Sequence, residues 1–287
     1  MALDKDRVVV VTGASRGAGK GIALALGETG ATVYVTGRSQ REGDAPLPGT
    51  VFATAEAINA RGGKGIAVVC DHGDDEQVRA LFERVRDEQG RLDILVNNAL
   101  YVPPELVLPG PFWEKPLSLQ AILDVGMRST YVASYYAAPL LLAAGRGLVV
   151  NTSSFGGRCY MHGPAYGAGK AAVDKMAHDM AVDFKPHNVA VISLWMGLLK
   201  TERTQQVFDE NPELYADMEA TAETPEFSGR VIDALARDPE LMARSGQVWV
   251  GAELGEMYGV VDINGKQPPS HRPMLGDPPT FSDAVIE

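Results

Sequence analysis

The sequence predicts an α/β fold in which helices cover both faces of a parallel sheet. Short apolar runs alternate with longer amphipathic segments along most of the 287 residues. Parallel strands are buried on both faces, so they appear in a sequence as nearly continuous apolar runs. A glycine-rich segment at 12–19 directly follows the first run, where such a fold passes from its first strand into its first helix.

Each apolar run predicts one strand and each amphipathic segment predicts one helix. We expect strands at 7–11, 31–36, 65–69, 92–96, 147–151, 189–194 and 247–250. We expect helices at 17–29, 51–60, 74–88, 117–144, 165–184 and 226–236.

Two segments interrupt this alternation. The segment 37–49 combines glycine, proline and charged residues, and the tail from Lys266 contains five prolines, so both are expected to be irregular. No segment resembles a linker between domains. We therefore expect a single domain over 1–287, with a core at about 7–250 and an irregular tail at about 266–287.

Composition and charge exclude several classes of protein. Hydrophobic residues make up 45% of the chain and charged residues 22%, which is typical of a globular protein. The 26 basic and 37 acidic residues give a net charge of −11, which disfavours a nucleic-acid-binding surface because phosphates need a basic patch. The two cysteines form no Cys-x-x-Cys pair and no disulfide framework. This usage favours a reducing compartment.

Neither a membrane segment nor a catalytic metal is expected. The first six residues lack an apolar core, and the longest apolar stretch, 131–144, is shorter than the roughly 18 to 20 residues that span a bilayer. We therefore expect a cytoplasmic protein. The five histidines contain no His-x-x-x-His pair, and the acids at 74–76 are typical of a helix start.

The glycine-rich turn predicts a dinucleotide site. It reads Thr12-Gly13-Ala14-Ser15-Arg16-Gly17-Ala18-Gly19. Glycines let the backbone approach a pyrophosphate, which binds the free N–H groups at the start of the helix. No Lys-Ser or Lys-Thr pair follows, so the turn is not the phosphate loop of a nucleotide hydrolase. The alternative is a glycine-rich turn without a ligand.

The residues after the second strand indicate which nicotinamide cofactor binds. This strand ends Val35-Thr36-Gly37-Arg38, without the acid that would accept hydrogen bonds from the ribose of NAD. Arg16 and Arg38 could hold a 2′-phosphate, so NADP(H) is the preferred cofactor and NAD(H) the alternative. Either arginine could instead be a solvated surface charge. The insertion 39–49 could cover the adenosine end, with Arg41 as a third contact, or be an exposed loop without a role.

Ser154, Tyr166 and Lys170 form the predicted catalytic group. Ser154 follows the strand that ends at 151, and Tyr166 and Lys170 share one face of a helix because they are four residues apart. Stabilising a phenolate at neutral pH requires a pKa decrease of roughly 3 units, or about 4 kcal/mol, which a nearby ammonium can partly supply. Ser154 could orient the substrate oxygen. Taken alone, a Tyr-x-x-x-Lys pair could equally be surface decoration.

Together these motifs resemble the short-chain dehydrogenase/reductase family over about 7–250. Segment 12–19 is similar to its cofactor motif, Asp71 to the acid at the adenine, and Asn97-Asn98-Ala99 to the element after strand four. Segment 194–201 is similar to the segment bordering the nicotinamide. In that segment the resemblance assigns cofactor contacts to Gly197, Leu199 and Thr201, and it also assigns such contacts to Tyr166 and Lys170.

The resemblance implies a doubly wound Rossmann domain with a seven-stranded parallel sheet. It also implies a homodimer or homotetramer, formed through the helices at 117–144 and 165–184. Three positions depart from the family pattern: Leu100 replaces a glycine, Met196 a proline, and Gly126 an asparagine that joins a proton relay to the lysine. Three further segments, 112–114, 125–128 and 193–195, are similar to one subgroup whose substrate range is broad.

The expected function is NADP(H)-dependent hydride transfer to or from a small carbonyl or secondary alcohol. A nucleotide-sensing protein without turnover is the alternative, favoured by Gly126 and Met196; a lyase or epimerase is a third, for which no extended substrate domain is evident. Segments 101–116 and 198–224 are expected to flank the site. The aromatic residues of 101–116 could form a substrate wall or pack under a loop. His162 could touch substrate or be structural.

Overall fold

Seven parallel strands form one sheet in the structure. A computed structural model describes residues 6–286 of the chain. The strands follow the order β3-β2-β1-β4-β5-β6-β7 across the sheet. They are β1 (Val8–Val11), β2 (Thr32–Gly37), β3 (Lys64–Val69), β4 (Ile94–Asn97), β5 (Gly147–Ser153), β6 (Val189–Trp195) and β7 (Val248–Val250). This confirms the predicted fold class.

Helices lie on both faces of this sheet. Those of the described chain are α1 (Gly17–Gly27), α2 (Val51–Ala60), α3 (Asp75–Gln89), α4 (Ser129–Ala143), α5 (Pro164–Phe184), α6 (Glu202–Glu210), α7 (Pro212–Thr221), α8 (Pro225–Arg237), α9 (Leu241–Arg244), α10 (Gly251–Tyr258) and α11 (Arg272–Leu275). None of them is long and apolar enough to cross a membrane.

The core is divided in two by the sheet. Val9 and Val11 face a cluster built with α1, α2 and α8, whereas Val8 and Val10 face a cluster built with α3, α4 and α5. Successive side chains of a strand point to opposite faces. Both faces are covered here, so every position of β1 has to be apolar.

The strand order places a crevice at the carboxyl ends of β1 and β4. From β1 the chain moves to β2 and β3 on one side of the sheet and then returns to β4 on the other. The helices that follow β1 and β4 therefore leave on opposite faces, and ligands of open α/β sheets bind in such a crevice. The glycine-rich turn and the carboxyl ends of β4, β5 and β6 meet at this edge.

The prediction of one continuous helix at 117–144 is wrong. The regular helix α4 begins only at Ser129, because Val125 (φ −107°, ψ 92°) and Gly126 (φ 149°, ψ −47°) are not helical. Short 3₁₀ turns occupy the chain before this break, at Pro104–Val107, Phe112–Glu114 and Leu117–Gln120. The apolar pattern continues through the break, which is why periodicity alone extended the helix to 117.

The tail is mostly irregular, as predicted, but it is anchored to the body of the protein. Arg272 and Ser270 both bind the carboxylate of Glu253 on α10. Further along, the carbonyl of Ser282 accepts a hydrogen bond from His178 of α5 at 3.0 Å. The tail therefore passes from α10 to α5 along the β7 edge of the sheet.

Candidate active site

The glycine-rich turn adopts a backbone that only glycine allows. Gly13 and Gly17 have φ values of +65° and +57°. A Cβ at Gly13 would lie 2.8 Å from the Cα of Ala99, and a Cβ at Gly19 would lie 2.4 Å from the carbonyl oxygen of Gly13. Side chains at these positions would separate β1 from β4. The turn is thus packed closely, with Ser15 buried and Ala18 half-buried in it.

Thr12 and Asn98 hold this turn against the end of β4. The hydroxyl of Thr12 accepts hydrogen bonds from the N–H groups of Asn98 (2.8 Å) and Ala99 (2.9 Å). The side-chain amide of Asn98 in turn donates to the carbonyls of Thr12 and Gly13, at 2.9 and 3.1 Å. These bonds fix the backbone amides that point into the crevice.

The side chain of Asn97 lies inside the protein rather than in the crevice. It is 4% exposed, and its amide donates to Ser134 (3.0 Å) and to Asn151 (2.9 Å). A contact between Asn97 and the cofactor, as the family resemblance implies, would therefore have to be made by its backbone. The side chain instead joins β4 to β5 and α4.

The two arginines proposed to bind phosphate have different surroundings. Arg16 donates to the carbonyls of Pro48 and Gly49, at 3.0 and 2.6 Å, and to the hydroxyl of Ser39 at 2.9 Å. Its guanidinium therefore secures the 39–49 loop, where Arg41 is exposed. The side chain of Arg38 is 65% exposed to solvent. Its guanidinium lies 3.8 Å from the carboxylate of Asp71.

Glu202 occupies the start of α1, a position that the sequence analysis missed. Its carboxylate accepts a hydrogen bond from the N–H of Gly17 at 2.8 Å and lies 3.5 Å from the ammonium of Lys20. The free amides and dipole at a helix start bind anions. Thr201 precedes Glu202 and caps α6 by accepting from the N–H of Thr204 at 3.2 Å. Glu202 directly follows Thr201, which is a predicted cofactor contact. This acid beside a predicted contact is the sequence signal that could have identified Glu202.

Ser154, Tyr166 and Lys170 meet at the carboxyl end of β5. The hydroxyls of Ser154 and Tyr166 are 3.0 Å apart. The Lys170 ammonium lies 5.6 Å from the centre of the Tyr166 ring and donates to the carbonyl of Thr152 at 3.0 Å. One turn of α5 separates Tyr166 from Lys170, and Ser154 follows β5 directly. The structure thus brings the three residues together.

Burial shifts the pKa values of Tyr166 and Lys170 in opposite directions. Desolvation raises the pKa of the Tyr166 phenol, although the Ser154 hydroxyl lowers it in part. Desolvation lowers the pKa of Lys170 to about 8, opposed by the nearby carboxylate of Asp174. Both shifts favour the neutral group. The protein alone therefore keeps Tyr166 protonated, so ionising it requires further positive charge beside the ring.

Leu100 and Gly126, two of the departures from the family pattern, lie against each other. A Cβ at Gly126 would be 2.5 Å from Cδ1 of Leu100. Both residues line a small cavity together with Tyr166 and Lys170. Leu100 therefore fills the space beside Tyr166 and Lys170 that a longer side chain at 126 would enter.

The third departure, Met196, adds a backbone hydrogen bond. Its N–H donates to the carbonyl of Ser153 at 3.3 Å, which a proline could not do. The segment with the predicted cofactor contacts Gly197, Leu199 and Thr201 follows at once. It runs from the end of β6 to the start of α6 across the carboxyl edge of the sheet.

Two aromatic residues of the segment 101–116 are largely exposed. Phe112 and Trp113 stack edge to face, and 59% and 72% of their surfaces are exposed. This exposure does not favour the interpretation that they pack under a loop. His162 lies beside Tyr166, in a left-handed conformation (φ 60°), with its ring 5.1 Å from that of Tyr166.

Comparisons with known proteins identify the family of this chain. A family model described as short chain dehydrogenase matches residues 7–212. Dehydrogenase/reductase SDR family member 1 of Mus musculus, from the subgroup that 112–114, 125–128 and 193–195 resemble, is 43% identical over 91% of this chain and 85% of its own length. A 3-oxoacyl-[acyl-carrier-protein] reductase of Synechocystis is 31% identical over 85% of this chain and 94% of that protein.

Solved structures show the same fold. A crystal structure from Xanthomonas campestris has a TM-score of 0.77 at 24% identity and covers 99% of this chain and 100% of that one. A short-chain type dehydrogenase/reductase from Mycobacterium marinum has a TM-score of 0.69 at 29% identity, over 85% of this chain and 93% of that one. Among residues 6–286, no three His, Cys, Asp or Glu side chains are placed to hold a metal ion.

Proposed function

Because the chain belongs to the short-chain dehydrogenase family, we propose that it transfers a hydride reversibly between NADP(H) and a carbonyl or secondary alcohol. The observation that carries the proposal is the 3.0 Å approach of the Ser154 and Tyr166 hydroxyls, with Lys170 buried beside the Tyr166 ring. This group lies at the same edge of the sheet as the glycine-rich turn.

The residues of the crevice suit a dinucleotide. The turn at Gly13 and Gly19 has no room for side chains, so its backbone can approach a pyrophosphate. The N–H of Gly17 already binds an anion, the carboxylate of Glu202, at 2.8 Å. Gly197, Leu199 and Thr201 would border the nicotinamide. Asp71, beside Arg38, would lie at the adenine end.

Each member of the catalytic group has one role in this proposal. When bound, the cofactor supplies or accepts the hydride. Tyr166 gives its phenolic proton to the carbonyl oxygen during reduction and recovers it during oxidation. Ser154 donates a hydrogen bond to the same oxygen and orients it. The Lys170 ammonium stabilises the phenolate that forms and would bind the nicotinamide ribose.

The preference for NADP(H) rests on Arg38. Its exposed guanidinium directly follows β2, which carries no acid, and lies 3.8 Å from the carboxylate of Asp71. Arg16 contributes by holding the 39–49 loop next to it. NAD(H) remains the alternative cofactor.

Assembly and location are part of the proposal. On α4, Tyr131 and Tyr135 are 56% and 65% exposed, which supports a homodimer or homotetramer built on this helix and α5. The two free cysteines support a reducing, cytoplasmic location.

Replacing Tyr166 tests the catalytic assignment. In Tyr166→Phe we expect kcat to fall by roughly 10²-fold or more, because the proton donor is lost, whereas the dissociation constant of NADPH stays nearly unchanged. Tyr160→Phe removes a hydroxyl from an 80% exposed ring nearby and is the matched control. Two measurements are made: a fluorescence titration with NADPH and NADH, and an assay that follows the oxidation of NADPH while a panel of carbonyls is offered as substrates.

Three outcomes would change the proposal. Retained turnover in Tyr166→Phe would remove Tyr166 from its role. Tight binding of NADH without any response to NADPH would reverse the cofactor preference. Binding of either nucleotide without turnover of any carbonyl would favour a nucleotide sensor, to which the absence of a side chain at Gly126 lends support.

A further inference from the structure

Glu223 binds the segment that follows β6 with both its backbone and its side chain. Its N–H donates to the carbonyl of Leu198, and its carbonyl accepts from the N–H of Lys200, both at 2.8 Å. Its side chain also accepts a hydrogen bond from the N–H of Gly197 at 3.2 Å. One residue therefore contributes three of the hydrogen bonds of the segment 197–200.

The carboxyl of Glu223 is buried without a cation. The residue is 2% exposed, and in the described chain no lysine or arginine forms an ion pair with it. The groups that face it are Asp262, the buried hydroxyl of Ser228 and the N–H of Gly197. His271 of the tail approaches Gly197 from another direction, with its ring 3.6 Å from the position of a Cβ there.

This carboxyl also fits closely against its neighbour. A Cβ at Gly197 would lie 2.8 Å from one oxygen of Glu223, so the carboxyl touches the backbone that it holds. A buried carboxyl is costly unless it is neutral or fully paired. A role of the Glu223 carboxyl in setting the position of Gly197 and Leu199 would explain why this costly group is buried here.

We propose that Glu223 is a positioning residue for hydride transfer, which holds the segment 197–200 in the place where it borders the nicotinamide. This inference rests on the proposed function. Glu223 does not touch the reacting atoms. It acts through Gly197 and Leu199, and it does so as a neutral carboxylic acid.

The protonation state of Glu223 gives the segment a pH dependence. Burial, with the carboxylate of Asp262, raises the pKa of Glu223 to about 8, although the Gly197 N–H and Ser228 lower it in part. Above that pH the carboxyl ionises, and a buried charge without a cation favours any state in which the segment opens to water. Cofactor binding therefore weakens as the pH rises above about 8.

Glu223→Gln and Glu223→Ala separate positioning from a general effect on folding. Glutamine keeps an oxygen for the Gly197 N–H but cannot ionise, whereas alanine leaves that N–H without its acceptor. The control is Glu256→Gln, an exposed acid on α10. The dissociation constant of NADPH is titrated between pH 6.5 and 9 in each variant, and thermal unfolding checks that each one folds.

We expect Glu223→Gln to bind NADPH as tightly as the natural protein at pH 6.5 and about tenfold more tightly at pH 9. Lys170 titrates in both proteins. The ratio of their dissociation constants at each pH therefore removes its contribution. Glu223→Ala should bind NADPH about tenfold more weakly than Glu223→Gln at every pH, because a buried donor is left unsatisfied.

A ratio of the dissociation constants of the natural protein and Glu223→Gln that stays constant from pH 6.5 to 9 would overturn the proposal for Glu223. So would equal binding of NADPH by Glu223→Ala and the natural protein at pH 6.5. If the natural protein binds neither NADPH nor NADH at any pH, the proposed function fails and this inference fails with it. The two failures are thereby distinguished. Should Glu223→Ala not fold, the ratio for Glu223→Gln still decides.

Discussion

The side chain of Leu100 occupies the space that a side chain at position 126 would need. Gly126 also adopts φ 149°, a conformation that other residues rarely tolerate. The two departures from the family pattern are therefore one local arrangement beside Tyr166. Asparagine at 126 would require both a different backbone and a smaller residue at 100.

Restoring the asparagine alone should destabilise the protein. We expect Gly126→Asn to lower the free energy of unfolding by about 2 kcal/mol, because of its backbone strain and its overlap with Leu100. In the double variant with Leu100→Ala, the loss of unfolding free energy should be about 1 kcal/mol smaller than the sum of the losses in the two single variants. Urea unfolding of the two single variants and the double variant measures this coupling. Strictly additive losses would show that the two positions act independently.

At this scale the sequence predicted which residues meet but not always where their side chains point. The spacing of Tyr166 and Lys170 follows from helix geometry, so their proximity could be predicted. The interior orientation of Asn97 could not, because it depends on Ser134 and Asn151, which come from other elements. Glu223 was missed for the same reason: its contact with Gly197 spans 26 residues.

The elements around the crevice differ in how strongly their sequence determines them. The strands and five of the helices, α1, α2, α3, α5 and α8, were predicted to within a few residues, because their burial leaves a continuous or periodic apolar pattern. The helices α6 and α7 were not predicted, since the segment 198–224 was interpreted only as a border of the site. Their position brings Glu202 to the start of α1, an effect of tertiary structure alone.

Glu202 should compete with the cofactor for the start of α1. In Glu202→Gln we expect NADPH to bind about fivefold more tightly, because a negative charge is removed from the place where phosphates would bind. Glu210→Gln, an exposed acid at the other end of α6, is the control. Fluorescence titration at constant ionic strength measures both. Unchanged or weaker binding in Glu202→Gln would mean that the carboxylate does not have to leave when the cofactor binds.

For the molecule as a whole, the sheet divides the core in two and buries polar residues at its carboxyl edge. His72 is one of them: it is 4% exposed, and its Nε2 lies 2.7 Å from the hydroxyl of Thr36. Burial lowers the pKa of His72 from 6.5 to about 4, while the carboxylate of Asp71 raises it in part. The folded protein therefore holds this imidazole neutral at a pH where the unfolded chain binds a proton.

His72 should make the protein sensitive to acid. The stability that the neutral imidazole contributes is complete above pH 6.5 and is lost as the pH falls towards 4. By pH 4.5 we expect the natural protein to lose about 2 to 3 kcal/mol more than His72→Gln, which keeps a donor for Thr36 but does not titrate. His187→Gln, at an exposed site, is the control. Urea unfolding at pH 7 and pH 4.5 measures the difference, and equal losses in all three proteins would contradict the prediction.

The same burial makes one of the two cysteines unreactive. Desolvation, with the carboxylates of Asp71 and Asp74, raises the pKa of the Cys70 thiol to about 12, so this residue is inert towards alkylating reagents. Cys159 is half-buried on the turn between Ser154 and Tyr166. We therefore expect a thiol-directed fluorophore to attach at Cys159 alone without any substitution, a few residues from Tyr166. The natural chain thus already carries a labelling site. The emission of a fluorophore attached there would follow ligand binding.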